Sequence, residues 1–150
     1  MDKKYFDLAY EEAQKAFDLE EVPVGCIIVK DNRVLASAHN MKETDCCVTS
    51  HAEILAIQEA SKKINNWRLE DCDLYVTLDP CPMCASAIKQ SRIKNVYSAL
   101  NNSDQDNLFI ISKIFNLNDS TNSMVYFDTN LSVEKSKLLL NKFFKNQRNK

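Results

Sequence analysis

Residues 74–85 read LYVTLDPCPMCA, and this stretch decides how the rest of the chain is interpreted. The apolar and β-branched run over 73–78 predicts a strand. Asp79 is a favourable N-cap and Pro80 suits the first position of a helix, so a helix is predicted from there to about Gln90. A strand followed at once by a helix is typical of an α/β layer fold.

The two cysteines of this stretch, Cys81 and Cys84, are three residues apart and therefore share one face of the predicted helix. The N-terminal end of a helix favours negative charge, and therefore thiolates. Two thiolates on one face form half of a tetrahedral zinc site, although the pair alone also fits a redox couple or two buried thiols. A structural site with four cysteine ligands would need a second Cys-x-x-Cys pair. No such pair exists among the remaining cysteines, which are Cys26, Cys46, Cys47 and Cys72.

A further helix is predicted over 51–63, and it begins at His51 with the sequence HAE. Of the two histidines, His51 is a better ligand than His39 because the helix start orders its side chain. Together with the two cysteines it gives three ligands, which leaves one position open, as in catalytic zinc sites. Glu53 then lies where it can move a proton. Alternatively, Ser50 and Glu53 form a capping box, with Ser50 as the N-cap.

Strands and helices alternate along most of the chain. An amphipathic helix over 3–19 precedes two β-branched runs, 22–30 and 34–38, whose Asp-Asn turn predicts a hairpin. The later elements are predicted strands at 94–100 and 124–128 and predicted helices at 105–116 and 132–147. This order predicts one domain, residues 1–150, with a mixed sheet covered by helices in an α/β fold.

Composition and charge narrow the range of partners. With 45% hydrophobic and 27% charged residues the chain has an ordinary globular balance, and its apolar runs fall far short of the ~20 residues of a membrane span. We therefore expect a cytoplasmic protein with no membrane partner. The net charge is −2, but residues 131–150 carry a local +5. Such asymmetry suggests a polyanionic partner, although a basic C-terminal turn also suits the helix dipole.

From Glu21 to Ile93 the chain resembles the bacterial tRNA-specific adenosine deaminases. A His-x-Glu followed by Pro-Cys-x-x-Cys is the signature of the zinc nucleobase deaminases. The matching segments are 21–25 (EVPVG), 39–40 (HN), 51–54 (HAEI), 68–69 (RL), 74–85 and 91–93 (SRI), with Phe143, Phe144 and Arg148 also similar. The resemblance implies a three-layer α/β/α cytidine-deaminase-like fold with a mixed central sheet. It also implies a homodimer with one Zn²⁺ per subunit, held by His51, Cys81 and Cys84.

The same resemblance implies the reaction, which is conversion of the wobble adenosine of a tRNA anticodon stem-loop to inosine, with Glu53 as the catalytic proton carrier. It places three residues at the substrate base: Asn40, Ala52 and Val24. An Asn side chain both donates and accepts hydrogen bonds, so Asn40 can read a purine edge. Alternatively, Asn40 is a loop residue that caps the end of the hairpin.

The predicted C-terminal helix carries a candidate surface for single-stranded RNA, made of stacking rings and cations. Its members are Lys142, Phe143, Phe144, Lys145 and Arg148. In the alternative interpretation, Leu138, Leu139 and one phenylalanine pack on the core while the lysines are only solvated. We expect at least one of the two phenylalanines to be buried.

Three departures from the family pattern concern the substrate more than the zinc chemistry. Asp79 replaces a Glu, residues 47–50 differ, and the loop at 98–104 lacks the acidic residue and the glycines of the family. Two alternatives share the metal site. One is a free-base or nucleotide deaminase acting on guanine, cytosine or a pyrimidine precursor, which the basic, aromatic C-terminal helix disfavours. The other is a non-catalytic zinc-binding module, which would not need Glu53.

Overall fold

The computed structural model describes residues 1–99, 105–117, 124–127 and 132–150. Its helices are α1 (Lys3–Asp18), α2 (Ala52–Ile64), α3 (Pro82–Gln90), α4 (Gln105–Phe115) and α5 (Ser132–Arg148). Its strands are β1 (Gly25–Lys30), β2 (Arg33–His39), β3 (Cys72–Val76), β4 (Asn95–Ser98) and β5 (Met124–Phe127). None of the described helices combines the length and the apolar character that crossing a membrane requires.

The strands form one mixed sheet in the order β2-β1-β3-β4-β5. Strand β1 pairs antiparallel with both β2 and β3, whereas β3, β4 and β5 run parallel. The parallel half needs crossover connections, and α3 provides the one between β3 and β4. The predicted α/β fold with a mixed central sheet is therefore confirmed.

The hairpin of β1 and β2 turns at Asp31 and Asn32, as the sequence predicts. Both residues have positive φ angles, 50° and 58°, the conformation of a type I′ turn. The chain has a single glycine, so this left-handed backbone is formed by residues whose short polar side chains tolerate it. Asn65 ends α2 in the same way, with φ 50°.

The side chains of β1 alternate between two hydrophobic clusters, one on each face of the sheet. Cys26 and Ile28 pack with α2, α3 and α4, whereas Ile27 and Val29 pack against the N-terminal part of α1. Helix α5 packs alongside α1. The result is three layers, with helices on both faces of the sheet. Both faces of β1 are thus buried, which is why its sequence is a continuous β-branched run.

Helix α1 crosses β1 so closely at Gly25 that no side chain fits there. A Cβ atom at this position would lie 1.9 Å from the carbonyl oxygen of Ala9 and 2.6 Å from the backbone nitrogen of Ala13. These are backbone atoms of a regular helix, which cannot turn aside as a side chain can. The only glycine of the chain therefore marks the contact that sets the distance between α1 and the sheet.

Gly25→Ala is expected to lower the free energy of unfolding by about 3 kcal/mol, the upper end for overpacking, because the added methyl group meets helix backbone. Urea unfolding monitored by circular dichroism measures this change. The matched control is Ser37→Ala on the exposed face of β2, which should change stability by less than about 0.5 kcal/mol. Equal stability of Gly25→Ala and the wild type would contradict this packing.

Candidate active site

The candidate site lies at the edge of the sheet where β1 begins and both β2 and β3 end. Gly25 pairs with His39, the last residue of β2. On the other side of β1, Thr77 donates its backbone N–H to the carbonyl of Gly25, and its Oγ1 accepts from the Gly25 N–H, each at 3.1 Å. Asn40 and the residues after Thr77 therefore leave the sheet next to each other.

Helix α3 begins two residues later than the sequence predicts. The prediction that Asp79 is the N-cap and Pro80 the first helical residue is wrong, because Cys81 is the N-cap, with φ −68° and ψ 168°, and Pro82 is the first residue of the helix. A proline disfavours helical backbone in the residue before it, so Cys81 stays extended ahead of Pro82. Cys81 and Cys84 consequently occupy the N-cap and the third helical position.

Helix α2 begins at Ala52, and its N-cap is His51, whose side chain makes no capping hydrogen bond. The capping box that pairs Ser50 with Glu53 is therefore not formed. Glu53 lies in the first turn of the helix and is only 4% exposed. Its carboxylate instead accepts a hydrogen bond from its own backbone N–H.

The two helix starts bring together three potential metal ligands. His51 Nδ1 lies 3.7 Å from Cys81 Sγ and 3.5 Å from Cys84 Sγ, and all three donor atoms lie within 4.8 Å of one another. Tetrahedral zinc with bonds of ~2.0–2.1 Å to nitrogen and ~2.3 Å to sulfur separates such N and S atoms by about 3.6 Å. The donor types and their spacing therefore fit zinc.

Glu53 lies directly beside this triangle of donors. Its Oε2 is 3.5 Å from Cys84 Sγ, and burial raises the pKa of the carboxyl group to about 7. A hydrogen bond from Cys84, helped by His51, lowers the pKa of Cys81 to about 5. The same pairing with Cys81 raises the pKa of Cys84. These shifts favour a thiolate at Cys81, the form in which a cysteine binds a metal ion.

A cavity of about 270 Å³ opens next to the donors. The predicted substrate residues Val24, Asn40 and Ala52 all line it, together with His51, Glu53 and Cys81. Sequence reasoning missed four further lining residues: Val22, Lys42, Leu78 and Asp79. The apolar walls with a few polar groups suit a flat heterocyclic base. The missed residues lie next to the quoted motifs in the sequence, and this proximity is the one signal from which they could have been predicted.

Asn40 holds the loop after β2 and also lies in the wall of the cavity. Its Nδ2 donates to the carbonyl of Val22 at 3.4 Å, and its Oδ1 accepts from the backbone N–H of Lys42 at 3.3 Å. It is 6% exposed and lines the cavity. These bonds fix its amide while the second N–H of Nδ2 is left for a ligand. Ala52 is the first residue of α2, where helical hydrogen bonding leaves the amide N–H unused.

The C-terminal candidates are divided by burial. Phe143 is 7% exposed and packs beside Phe144, which is 44% exposed, so Phe144 has the more open ring of the two and the stacking role of Phe143 stays a prediction. At least one phenylalanine is buried, as predicted, whereas Leu138 is 66% exposed and does not pack on the core. The helical period explains this pattern, because Leu140 and Phe143 share the inner face of α5.

The three cationic candidates of α5, Lys142, Lys145 and Arg148, are exposed and do not line the cavity. Lys142 extends over the ring of Phe17 in α1, with its Nζ 5.3 Å from the ring centre. The structure thus keeps these cations on an outer surface. Most of the altered loop, residues 100–104, lies outside the described residues.

Residues 1–148 match the family model of the MafB19-like deaminases. The tRNA-specific adenosine deaminase of Aquifex aeolicus (strain VF5) is 44% identical over 153 residues, which cover 99% of this chain and 98% of that protein. The fold is similar to a solved structure from work on A-to-I editing by tRNA:A34 deaminases, with TM-score 0.81, 32% identity, and coverage of 93% of this chain and 100% of that one. A guanine deaminase structure from Bacillus subtilis is also similar, with TM-score 0.66, 28% identity, and coverage of 100% and 96%. The resemblance inferred from the motifs is therefore confirmed.

Wild-type protein is expected to bind one zinc ion per chain, and Cys84→Ser to retain less than about a tenth of an ion after dialysis, because the open site keeps only two strong ligands. Metal analysis of the purified proteins measures the zinc content. Cys46→Ser is the matched control, since Cys46 is exposed and lies outside the donor group. Full zinc content in Cys84→Ser would contradict the assignment.

Proposed function

The chain belongs to the MafB19-like deaminase family, and on this premise we propose that residues 1–150 form one zinc-dependent domain that converts the wobble adenosine of a tRNA anticodon to inosine. The observation that carries the proposal is the buried Glu53 beside a His-Cys-Cys donor group in a cavity lined by Asn40. Support for the RNA substrate comes from the Aquifex aeolicus relative and from the tRNA:A34 deaminase structure.

His51, Cys81 and Cys84 would hold the zinc. When bound, zinc supplies Lewis-acid chemistry that lowers the pKa of water toward neutrality. Three protein ligands leave a fourth position open, and the described residues place no further His, Cys, Asp or Glu in the donor group. This open position disfavours a purely structural zinc module, which fills all four positions with protein ligands.

Glu53 moves the protons of the reaction. It takes a proton from the water that attacks C6 of adenine and delivers protons to the exocyclic nitrogen, which leaves as ammonia. The C6–O bond forms first and the C6–N bond breaks after the nitrogen is protonated, so adenosine and water give inosine and ammonia. Burial of Glu53 limits its contact with bulk solvent, which keeps the proton on the carboxyl group until the leaving group takes it.

The walls of the cavity orient the base. Val24 and Ala52 provide apolar contact, and the Asn40 amide, held by Val22 and Lys42, offers a fixed donor. A base must leave its stack to enter such a cavity, and the wobble position of an anticodon loop is single-stranded, so this step costs little there. We also infer from the family resemblance that the protein is a cytoplasmic homodimer with one zinc per subunit. Sedimentation at twice the 17.2 kDa chain mass would support the dimer.

A second candidate is deamination of a free base, because a guanine deaminase from Bacillus subtilis has a similar fold. Both candidates share the donor group and Glu53, so the metal chemistry does not separate them. The basic surface of α5 favours the RNA substrate, since a free base brings no phosphate for cations to bind.

Glu53→Gln is expected to keep its zinc and to lose at least about 10²–10⁴-fold in kcat, because an amide of the same shape cannot accept and return the proton. Inosine formation in an anticodon stem-loop and metal analysis of the same samples give the two readouts. Glu59→Gln, on the same helix but partly exposed, is the control and should retain wild-type activity. Activity retained in Glu53→Gln would refute its role as proton carrier.

The wild-type enzyme is expected to turn over an anticodon stem-loop with adenosine at the wobble position at least about 10²-fold better in kcat/KM than guanine or cytidine, because these ligands lack the flanking nucleotides whose binding energy the enzyme uses. Ammonia release measures all three substrates in one assay. The same stem-loop with guanosine at the wobble position serves as the control. Turnover of the free bases alone would overturn the tRNA proposal.

A further inference from the structure

A buried carboxylate holds the loop that follows β2. Glu21 is 1% exposed, and its two carboxylate oxygens accept the backbone N–H groups of Glu43, at 3.2 Å, and Thr44, at 2.6 Å. A charged acceptor strengthens such hydrogen bonds and costs stability if it is buried without them. The segment that begins with Lys42 is therefore fixed in place from below, although its side chains are exposed.

Lys42 lies at the junction of two concave surfaces. It lines the 270 Å³ cavity beside the donor group and also an adjacent groove of about 650 Å³, which runs between the end of α1, this loop and the end of α5. Val22 and Asn40 also line both. A ligand longer than one base can therefore extend from the cavity into the groove past Lys42.

The charges around this junction make Lys42 distinctive. Acidic side chains line the two surfaces: Glu20, Glu21, Glu43, Glu53 and Asp79. Of the described residues that line the groove, Lys150 is the one other cation, and its Nζ is paired with Glu20 at 2.5 Å. Among the described residues Lys42 forms no ion pair, so its ammonium is available where a polyanion must pass several acids.

We propose that Lys42, positioned by the hydrogen bonds of Glu21 to its loop, binds a backbone phosphate next to the nucleotide that enters the cavity. The proposal rests on the proposed RNA substrate and deepens it. Zinc chemistry at the base is common to both candidate functions. A phosphate contact at the mouth of the cavity, by contrast, strengthens the binding of a polynucleotide or a nucleotide but not of a free base. Lys42 would thus contribute to the choice between RNA and a free base.

Lys42→Gln is expected to raise KM for the anticodon stem-loop about tenfold while kcat stays within about twofold, because a charge-assisted hydrogen bond made equally in the bound state and the transition state is lost. The salt dependence of log KM should become shallower by about 0.7, the value for one phosphate of a single strand. The control is Lys62→Gln, an exposed change near the far end of α2, which should alter neither quantity.

Neutral methylphosphonates, placed singly at the phosphates flanking the wobble adenosine, test the contact directly. At one position the wild type should lose about tenfold in KM while Lys42→Gln loses nothing further. Glu21→Gln keeps the shape but replaces one acceptor by a donor, so it should raise KM similarly, and the double variant should match Lys42→Gln rather than multiply the two effects. Zinc content and thermal melting show that each variant is folded.

The outcomes separate the two levels of inference. Suppose the wild type deaminates the stem-loop, but Lys42→Gln has the same KM as the wild type or is weakened by the methylphosphonate at every position. Either result overturns the phosphate contact and leaves the proposed function intact. A wild type that deaminates no RNA overturns both. If Glu21→Gln does not fold, the Lys42→Gln data on methylphosphonates and salt decide the proposal by themselves. Multiplying effects of Glu21→Gln and Lys42→Gln would overturn the positioning role of Glu21.

Discussion

The pair of hydrogen bonds between Gly25 and Thr77 is the constraint on which the site depends. It fixes the start of β1 to the end of β3, so Val24 and Leu78 approach the cavity from opposite sides of one junction. Gly25 also lacks the Cβ that would collide with α1. The same residue thus sets the spacing of a helix layer and the alignment of two cavity walls, which ties stability to the geometry of the site.

From this junction two helices start, and the chemistry depends on where they start rather than on their length. His51 and Cys81 are both N-caps with extended backbone, a position from which a side chain can face a neighbouring helix start. At α3 the extended backbone of Cys81 is a consequence of Pro82, because a proline disfavours helical backbone in the residue before it. The donors are therefore held by backbone conformation, and zinc would add stability to a frame that already exists.

The sequence predicted most of this arrangement for definable reasons. Periodicity located the helices and strands, and the combination of His51 with the two cysteines identified the donor group. The predicted start of α3 was wrong because Asp79-Pro80 and Cys81-Pro82 can each begin a helix, and local capping preference does not distinguish these two starts. The burial of Phe143 and the cavity position of Lys42 depend on packing between α1, α5 and the loop after β2, which no local pattern encodes.

That loop also explains how recognition can vary without disturbing the metal. Met41 donates its backbone N–H to the carbonyl of Ser50 at 2.9 Å, so the loop is closed at its base, directly before His51. Residues 42–49 between the two ends are exposed, and they include all of the family departure at 47–50 except the buried Ser50. Of these residues Lys42, Glu43 and Thr44 line the groove, so substitutions at these three positions change what faces a ligand, while the closed base of the loop lies next to His51. A fixed metal-site geometry and a variable ligand surface are thus compatible within eleven residues, 41–51.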